Sequence, residues 1–451
     1  MTNSMSSACH SRAAFGTAAP QGKQRGTPSS AFIPNRYQAA FEAGVFFVLC
    51  EGLLRRLLPG AGAYILSFKF AYFPLVYCYL IAVLPRARQT PWLVPGAGVF
   101  LAWGTLITVA HLWWYSVVGL AGLLVNTAFV PVACFAALLY RDEDELRGVF
   151  LRLTSFAGLV GTMAIYQATL PADHWLNMSV DMAASGIRDG LGVRVPGTFQ
   201  FCNVFGQYAS GGLIACCGTI YAARNKLESA WGIGCGALLY FGVMESGSRM
   251  GALGSLAVVG ACLAGSARLW TRVADAALLG VIAMGLVFLC SPSLLWRADS
   301  AYAARAAGRS FYVDDALDRI GGMYFFGMMD DSITMSSGIG LGWGPCTMGV
   351  PQYARRLFAI EVPQQPGDFH IEGGYSYLLT QVGIVGAALF FYVHAMLVRL
   401  ALRSHSELGW LGLAVAAWSI VGNLPLGLQE VSVLAILWWF LTGIAVSHLA
   451  Q

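Results

Sequence analysis

The chain is a succession of unbroken apolar blocks of about 17 to 25 residues, set apart by charge clusters or Pro/Gly turns, and that repeat length constrains its fold more than any other feature. About twelve blocks can be counted, at 38–54, 62–84, 92–111, 116–140, 148–170, 200–222, 229–246, 250–267, 273–290, 374–398, 408–424 and 430–449. A helix of that length crosses the bilayer hydrocarbon and satisfies its own backbone N–H and C=O groups on the way. With 57 % hydrophobic and 11 % charged residues in 451, the chain lacks the charge to cover a soluble surface of this size. The expected fold is an all-α polytopic membrane protein with about 12 transmembrane helices. Its expected parts are a disordered tail at 1–36, helices one to nine at 37–290, one long loop at 291–372, and helices ten to twelve at 373–451.

Charge in the short loops sets the expected orientation. Arg86 and Arg88, Arg141, Arg147 and Arg152, Arg224 and Lys226, Arg268 and Arg272, and Arg399 and Arg403 occupy alternate connections, together with the tail residues Lys23, Arg25 and Arg36. Those connections are read as cytoplasmic, which puts both termini inside and the long loop outside. The opposite connections hold only Arg55 and Arg56, Arg188 and Arg194, and Arg249. A net charge of +4 is explained by this topology and gives no argument for nucleic acid. No Cys-x-x-Cys pair occurs among the eleven cysteines, so neither a disulfide framework nor a metal knuckle is written here.

Four ionisable residues in glycine-rich surroundings fall at the outer ends of their blocks and can converge. Arg249 sits in Glu245-Ser-Gly-Ser-Arg-Met-Gly-Ala252, where small residues let helices approach and leave backbone donors free. It reads either as an anion-binding group or as a snorkelling arginine paired with Glu245. Arg194 leads through Pro196-Gly197 into a block that carries Asn203 and Gln207 one helical turn apart. A guanidinium there can grip a phosphate with two parallel hydrogen bonds, or simply mark a loop. His370 and Glu372 close the long loop; either can take a proton from a hydroxyl, and Glu372 also suits a helix N-terminus. No His-x-x-x-His or Glu-x-x-His spacing suggests a metal. The run Gly338 to Gly344 lacks the Gly-Lys-Ser/Thr ending of a phosphate loop and reads as a flexible turn. Lys69, Glu42 and Glu51 read as internal ion pairs rather than catalytic groups.

Three patterns in this order resemble the bacterial O-antigen ligase and polymerase family of membrane glycosyltransferases. They are Arg194-Val-Pro-Gly-Thr-Phe with Asn203-Val-Phe-Gly; Ser246-Gly-Ser-Arg249-Met-Gly; and Gly340-Leu-Gly-Trp-Gly followed by Glu372-Gly-Gly-Tyr-Ser-Tyr-Leu-Leu and Gly383-Ile-Val-Gly386. Glu51-Gly-Leu-Leu-Arg55 with Phe68-Lys69 is similar to the start of exopolysaccharide polymerases in the group. The resemblance implies a periplasmic site in the inner membrane, no cofactor, and an undecaprenyl-diphosphate-linked oligosaccharide as substrate. It implies that Arg194 and Arg249 bind the diphosphate, that Glu372 or His370 is the base, and that Asn203, Gln207, Ser248 and Tyr375 support them. The spacing around His370 departs from the ligase pattern, while Glu372 fits polymerase-like members. Polymerisation of repeat units into exopolysaccharide or O-antigen is therefore the expected function, in company with flippase, chain-length and export proteins. A ligase acting on lipid A core or protein is the first alternative, and a secondary transporter or lipid flippase the second.

Overall fold

A computed structural model describes residues 35–83, 95–171, 173–178, 195–199, 201–274, 327–344, 373–404, 406–424 and 431–449. The described chain is helical throughout, and its elements follow the apolar blocks: α1 Asn35–Leu57, α2 Gly62–Val83, α3 Pro95–Ala110, α4 Leu112–Thr127, α5 Val130–Leu139, α6 Glu143–Ala168, α7 Cys202–Ala222, α8 Lys226–Ser246 and α9 Arg249–Ala264. After these come α10 Ala267–Ala274, α11 Gly327–Met335, α12 Gly374–Arg403, α13 Gly409–Gly422 and α14 Ser432–Leu449. The tail expected at 1–36 lies almost wholly outside the described residues, as do most of the expected block at 273–290 and most of the long loop.

Among the described residues seven helices are long and apolar enough to cross a membrane, or eight if the bent pair α9–α10 is one span. The protein is thus a membrane-embedded helical bundle, in which two of the expected blocks are shorter than a full crossing and one is bent. α3 and α13 have only 16 and 14 residues, short of the ~20 that a full crossing needs. The block at 116–140 remains one apolar span, Val117–Leu139, interrupted between α4 and α5 near Pro131, which has no N–H to continue the helical ladder. The block at 250–267 ends at Gly265 and turns by 110° into α10, where Ser266 Oγ accepts from Leu269 N at 3.1 Å and caps the new helix.

α7 is the axis of the main body. Every residue from Val204 to Tyr221 is buried, and α6, α8, α9, α13 and α14 all pack on it. Glycines on its successive faces admit large neighbours: Gly218 faces Phe150 of α6, Gly212 faces Leu239 of α8, and Gly211 faces Trp418 of α13 and Leu437 of α14. Packing without side-chain bulk is how helices associate where lipid is as apolar as leucine. At its far end α7 is capped by Arg272, whose Nη1 donates to Ile220 O at 2.8 Å and Tyr221 O at 2.6 Å.

A smaller lobe is built from α3, α4, α11 and the first half of α12 around Phe100, Trp343, Tyr375 and Phe390. Its centre is the glycine run at 338–344, and here the expectation of a flexible turn is corrected. Gly338, Gly340, Gly342 and Gly344 all have positive φ, and so does Gly383, which breaks α12. The break removes helical donors from the carbonyls of Thr380, Gln381 and Val382. Leu341 N and Gly342 N donate to the first two, each at 2.8 Å, and Trp103 Nε1 donates to the third at 2.9 Å. In return Ile384 N donates to Gly338 O at 3.0 Å, and Trp343 N to Thr108 Oγ1 at 2.8 Å. The run is a docked strap. An added Cβ at Gly340 would meet Gly383 N at 2.7 Å, and φ there is already +105°.

Replacing Gly340 by Ala is expected to lower stability by at least about 1–3 kcal/mol, from left-handed strain alone. Gly260→Ala, in a helix with open space around the new methyl, should be neutral or slightly stabilising. Thermal unfolding of the purified variants in detergent compares the two.

Candidate functional site

The stretch that leads into α7 is fixed by a side chain from another helix. Val195 to Phe199 forms a turn closed by Phe199 N to Pro196 O at 3.0 Å, with Gly197 at φ +59°. Arg56, buried at the end of α1, donates through Nη2 to Gly197 O at 2.8 Å and Phe199 O at 2.5 Å, and through Nη1 to Leu176 O. Gln167 Nε2 at the end of α6 binds two of the same carbonyls, Leu176 O at 2.7 Å and Gly197 O at 3.0 Å. In the sequence Arg55 and Arg56 were counted among the few charges of the sparsely charged connections, and their structural role was not foreseen. That placement was the available signal.

Beside this turn, α7 presents Asn203, which is exposed, and Gln207, which is fully buried. The α8–α9 turn packs against the same stretch. α8 ends at Gly247 in the left-handed region, and Ser248 Oγ then accepts from Gly251 N at 3.2 Å to cap α9. Gly206 of α7 and Gly251 of α9 face each other so closely that a methyl on either would overlap the other's backbone or Ser248. Arg249 therefore stands at the first position of α9, between Ser248 and Gly251, the two residues that meet Gly206 of α7. Its side chain lies outside the described residues, as do Arg194, His370 and Glu372 entirely.

The described residues thus place Asn203 and Gln207 on the first turns of α7, whose Gly206 meets Ser248 and Gly251 at the start of α9. Tyr375 stands at the start of α12. The Tyr375 hydroxyl donates to Ile420 O at 2.6 Å, and its ring stacks on Phe391 at 5.4 Å, so it anchors the smaller lobe to α13.

Gln207 is the distinctive group of α7, because neither its Nε2 nor its Oε1 has a hydrogen-bond partner among the described residues. Ser210 and Ser255, on the facing helices α7 and α9, carry hydroxyls in the same condition, as does Thr198 in the turn. A buried polar group left unpaired costs about 1–3 kcal/mol, so such groups persist where water or a polar ligand completes them. An unpaired amide, unpaired hydroxyls and the positive end of α9 beside closely packed glycines suit an anionic, hydroxyl-bearing ligand.

Early charged residues form internal pairs, as the sequence suggested. Lys69 Nζ lies 2.5 Å from Glu51 Oε2, with Arg55 Nη1 3.5 Å from Glu51 Oε1, all three buried between α1 and α2. Glu42 accepts from Arg152 at 2.7 Å and from Tyr140 at 2.8 Å. Among the described residues no three His, Cys, Asp or Glu side chains gather as metal ligands do. Compared with family models and with curated proteins, the chain matches none.

Lys69→Met should destabilise the bundle by about 3–5 kcal/mol, because Glu51 would keep its charge in a buried setting with Arg55 alone beside it. Glu51→Gln combined with Lys69→Met should recover part of that loss, as read from midpoints of denaturation in mixed micelles.

Proposed function

We propose that the protein is an inner-membrane glycosyltransferase that polymerises undecaprenyl-diphosphate-linked oligosaccharide repeat units at the periplasmic face. The observation that carries this reading is the packing of the Arg249 turn against the α7 stretch holding Asn203 and the unpartnered, buried Gln207 amide. It is the setting in which a sugar diphosphate would find an arginine, a helix N-terminus and neutral hydrogen-bonding groups in a water-poor cleft.

In the proposed reaction the acceptor hydroxyl oxygen attacks the anomeric carbon of the donor chain. The bond from that carbon to the diphosphate oxygen breaks, and its electron pair leaves with the diphosphate. Glu372 or His370 takes the hydroxyl proton, a role typically worth about 10²–10⁴ in rate. Arg194 and Arg249 neutralise the leaving group. Arg56 contributes at one remove, by holding the turn that begins directly after Arg194. Nothing in this chemistry separates a polymerase from a ligase on the donor side; the Glu372 pattern favours the polymerase.

A second reading, a transporter or lipid flippase, draws on a different observation. α12 is discontinuous at Gly383, and a charged cluster is buried between α1 and α2. Broken helices and intramembrane charges are common in transporters. The carbonyls at the break are supplied by the docked strap and Trp103, however, and Glu51 is held between Lys69 and Arg55. Neither leaves a polar site at mid-membrane for cargo, so this reading ranks second.

Carrier-linked glycans from cells carrying Arg249→Ala, once membrane insertion is verified, test the proposal. Accumulated single repeat units with loss of polymer are expected. Unchanged polymer would overturn the site, and long chains retained on the carrier would favour the ligase. Gln207→Leu adds an independent measurement: removal of the unpaired amide should raise the melting temperature while polymer yield falls, since a buried amide kept at a stability cost is kept for its ligand.

A further inference from the structure

Away from this site, a groove of about 450 Å³ runs along the outer surface of the lower half of α12. Phe391, Ala395, Val398 and Leu402 line it on α12, with Ile420 of α13 on the opposite wall. Phe391 and Leu402 are 41 % and 70 % exposed, so the groove opens laterally, where a bundle of this kind meets lipid. Its charged end is formed by Arg399 and Arg403, four residues apart and therefore on one helix face.

Both arginines are exposed, and neither pairs with a carboxylate among the described residues. The acidic residue of the α12–α13 connection, Glu407, is committed elsewhere: it accepts from Tyr221 at 2.8 Å and from Arg268 at 3.0 Å. The groove therefore offers an apolar channel that ends in two uncompensated guanidinium groups. One face of α12 thus carries rings and aliphatic side chains toward mid-membrane and paired positive charge at the helix end.

We propose that this groove is a binding site for an anionic membrane phospholipid, with one acyl chain between Phe391 and Ile420 and the phosphate held by Arg399 and Arg403. Charge complementarity selects the occupant. Guanidinium groups bind phosphate oxygens in pairs, and basic pockets between transmembrane helices retain acidic lipids. A zwitterionic lipid would fill the channel equally well, but its headgroup would bring a cation beside two arginines. The site is separate from the Arg249 turn and stands whether or not the glycosyltransferase reading holds.

The test is native mass spectrometry of the full-length protein, released from detergent micelles titrated with phosphatidylglycerol or, in parallel, with phosphatidylcholine. The wild type should retain one phosphatidylglycerol in preference to phosphatidylcholine. Arg399→Gln with Arg403→Gln should weaken that binding about thirtyfold, the equivalent of about 2 kcal/mol at roughly 1 kcal/mol per arginine. Ala395→Trp, which fills the channel and leaves both arginines in place, should also displace the lipid. The proposal is overturned if phosphatidylcholine binds equally well, or if the double arginine variant keeps wild-type affinity. It is equally overturned if Ala395→Trp has no effect, because the arginines would then act as a diffuse surface charge. All three substitutions are at exposed positions, and unchanged melting in phosphatidylcholine micelles confirms that the variants are folded.

Discussion

In hydrocarbon there is no water to take over a broken hydrogen bond, and an unsatisfied backbone group costs several kcal/mol. The smaller lobe is organised by this constraint. When Gly383 interrupts α12, three carbonyls lose their helical donors, and each is supplied with another: two by the 338–344 strap and one by Trp103 of α3. The strap must approach main chain to main chain, which explains the glycines at its closest points. Trp343 then fills the space between the strap and α3, facing Phe100 edge-on at 6.2 Å. Break, strap and tryptophan form one cooperative unit, none of which is satisfied without the others.

The main body answers the same constraint by another route. α7 keeps its own backbone ladder and carries polar side chains within it, protected from lipid by five surrounding helices. Enclosure lets Gln207, Ser210 and Thr219 sit deep in the bundle. Thr219 is satisfied by Thr154 at 2.8 Å, near the capped end of α7, whereas the groups toward Asn203 are not. Polarity that is resolved at one end of a helix and unresolved at the other marks the end where something else binds. The Arg56 clamp, the Ser248 cap and the Gly206–Gly251 contact all rigidify that same end.

Much of the helical arrangement was legible because run length is a direct consequence of bilayer thickness, and block after block became a helix where it was counted. Legibility ended where the same residues support two structures. A glycine run reads as a loose turn unless its partner is known, and the partner of Gly340 is Gly383, beyond the intervening loop. Arg55 and Arg56 read as loop charges, although two arginines on the sparsely charged side were the cue to burial. The internal pairing of Lys69 and Glu51 was readable, since an isolated charge inside a span is too unfavourable to persist. The close approach of α7 to the start of α9 followed from small-residue motifs, with Gly206 meeting Ser248 and Gly251. The anchoring of Tyr375 to the Ile420 carbonyl was not legible, because proximity in sequence to Glu372 says nothing about which helix a hydroxyl reaches. Arg194, His370 and Glu372 lie outside the described residues, so their convergence rests on sequence and topology alone.

Residues 345–372 leave the chain at the strap and rejoin it at Gly373, just ahead of the first turn of α12, so both attachment points belong to one interlocked lobe. Closure entropy grows only logarithmically, by about 0.6 kcal/mol per doubling of length. Insertions, deletions and wholesale replacement there are therefore thermodynamically cheap. The frame on either side of this segment tolerates change in its length without renegotiating the stability of the bundle.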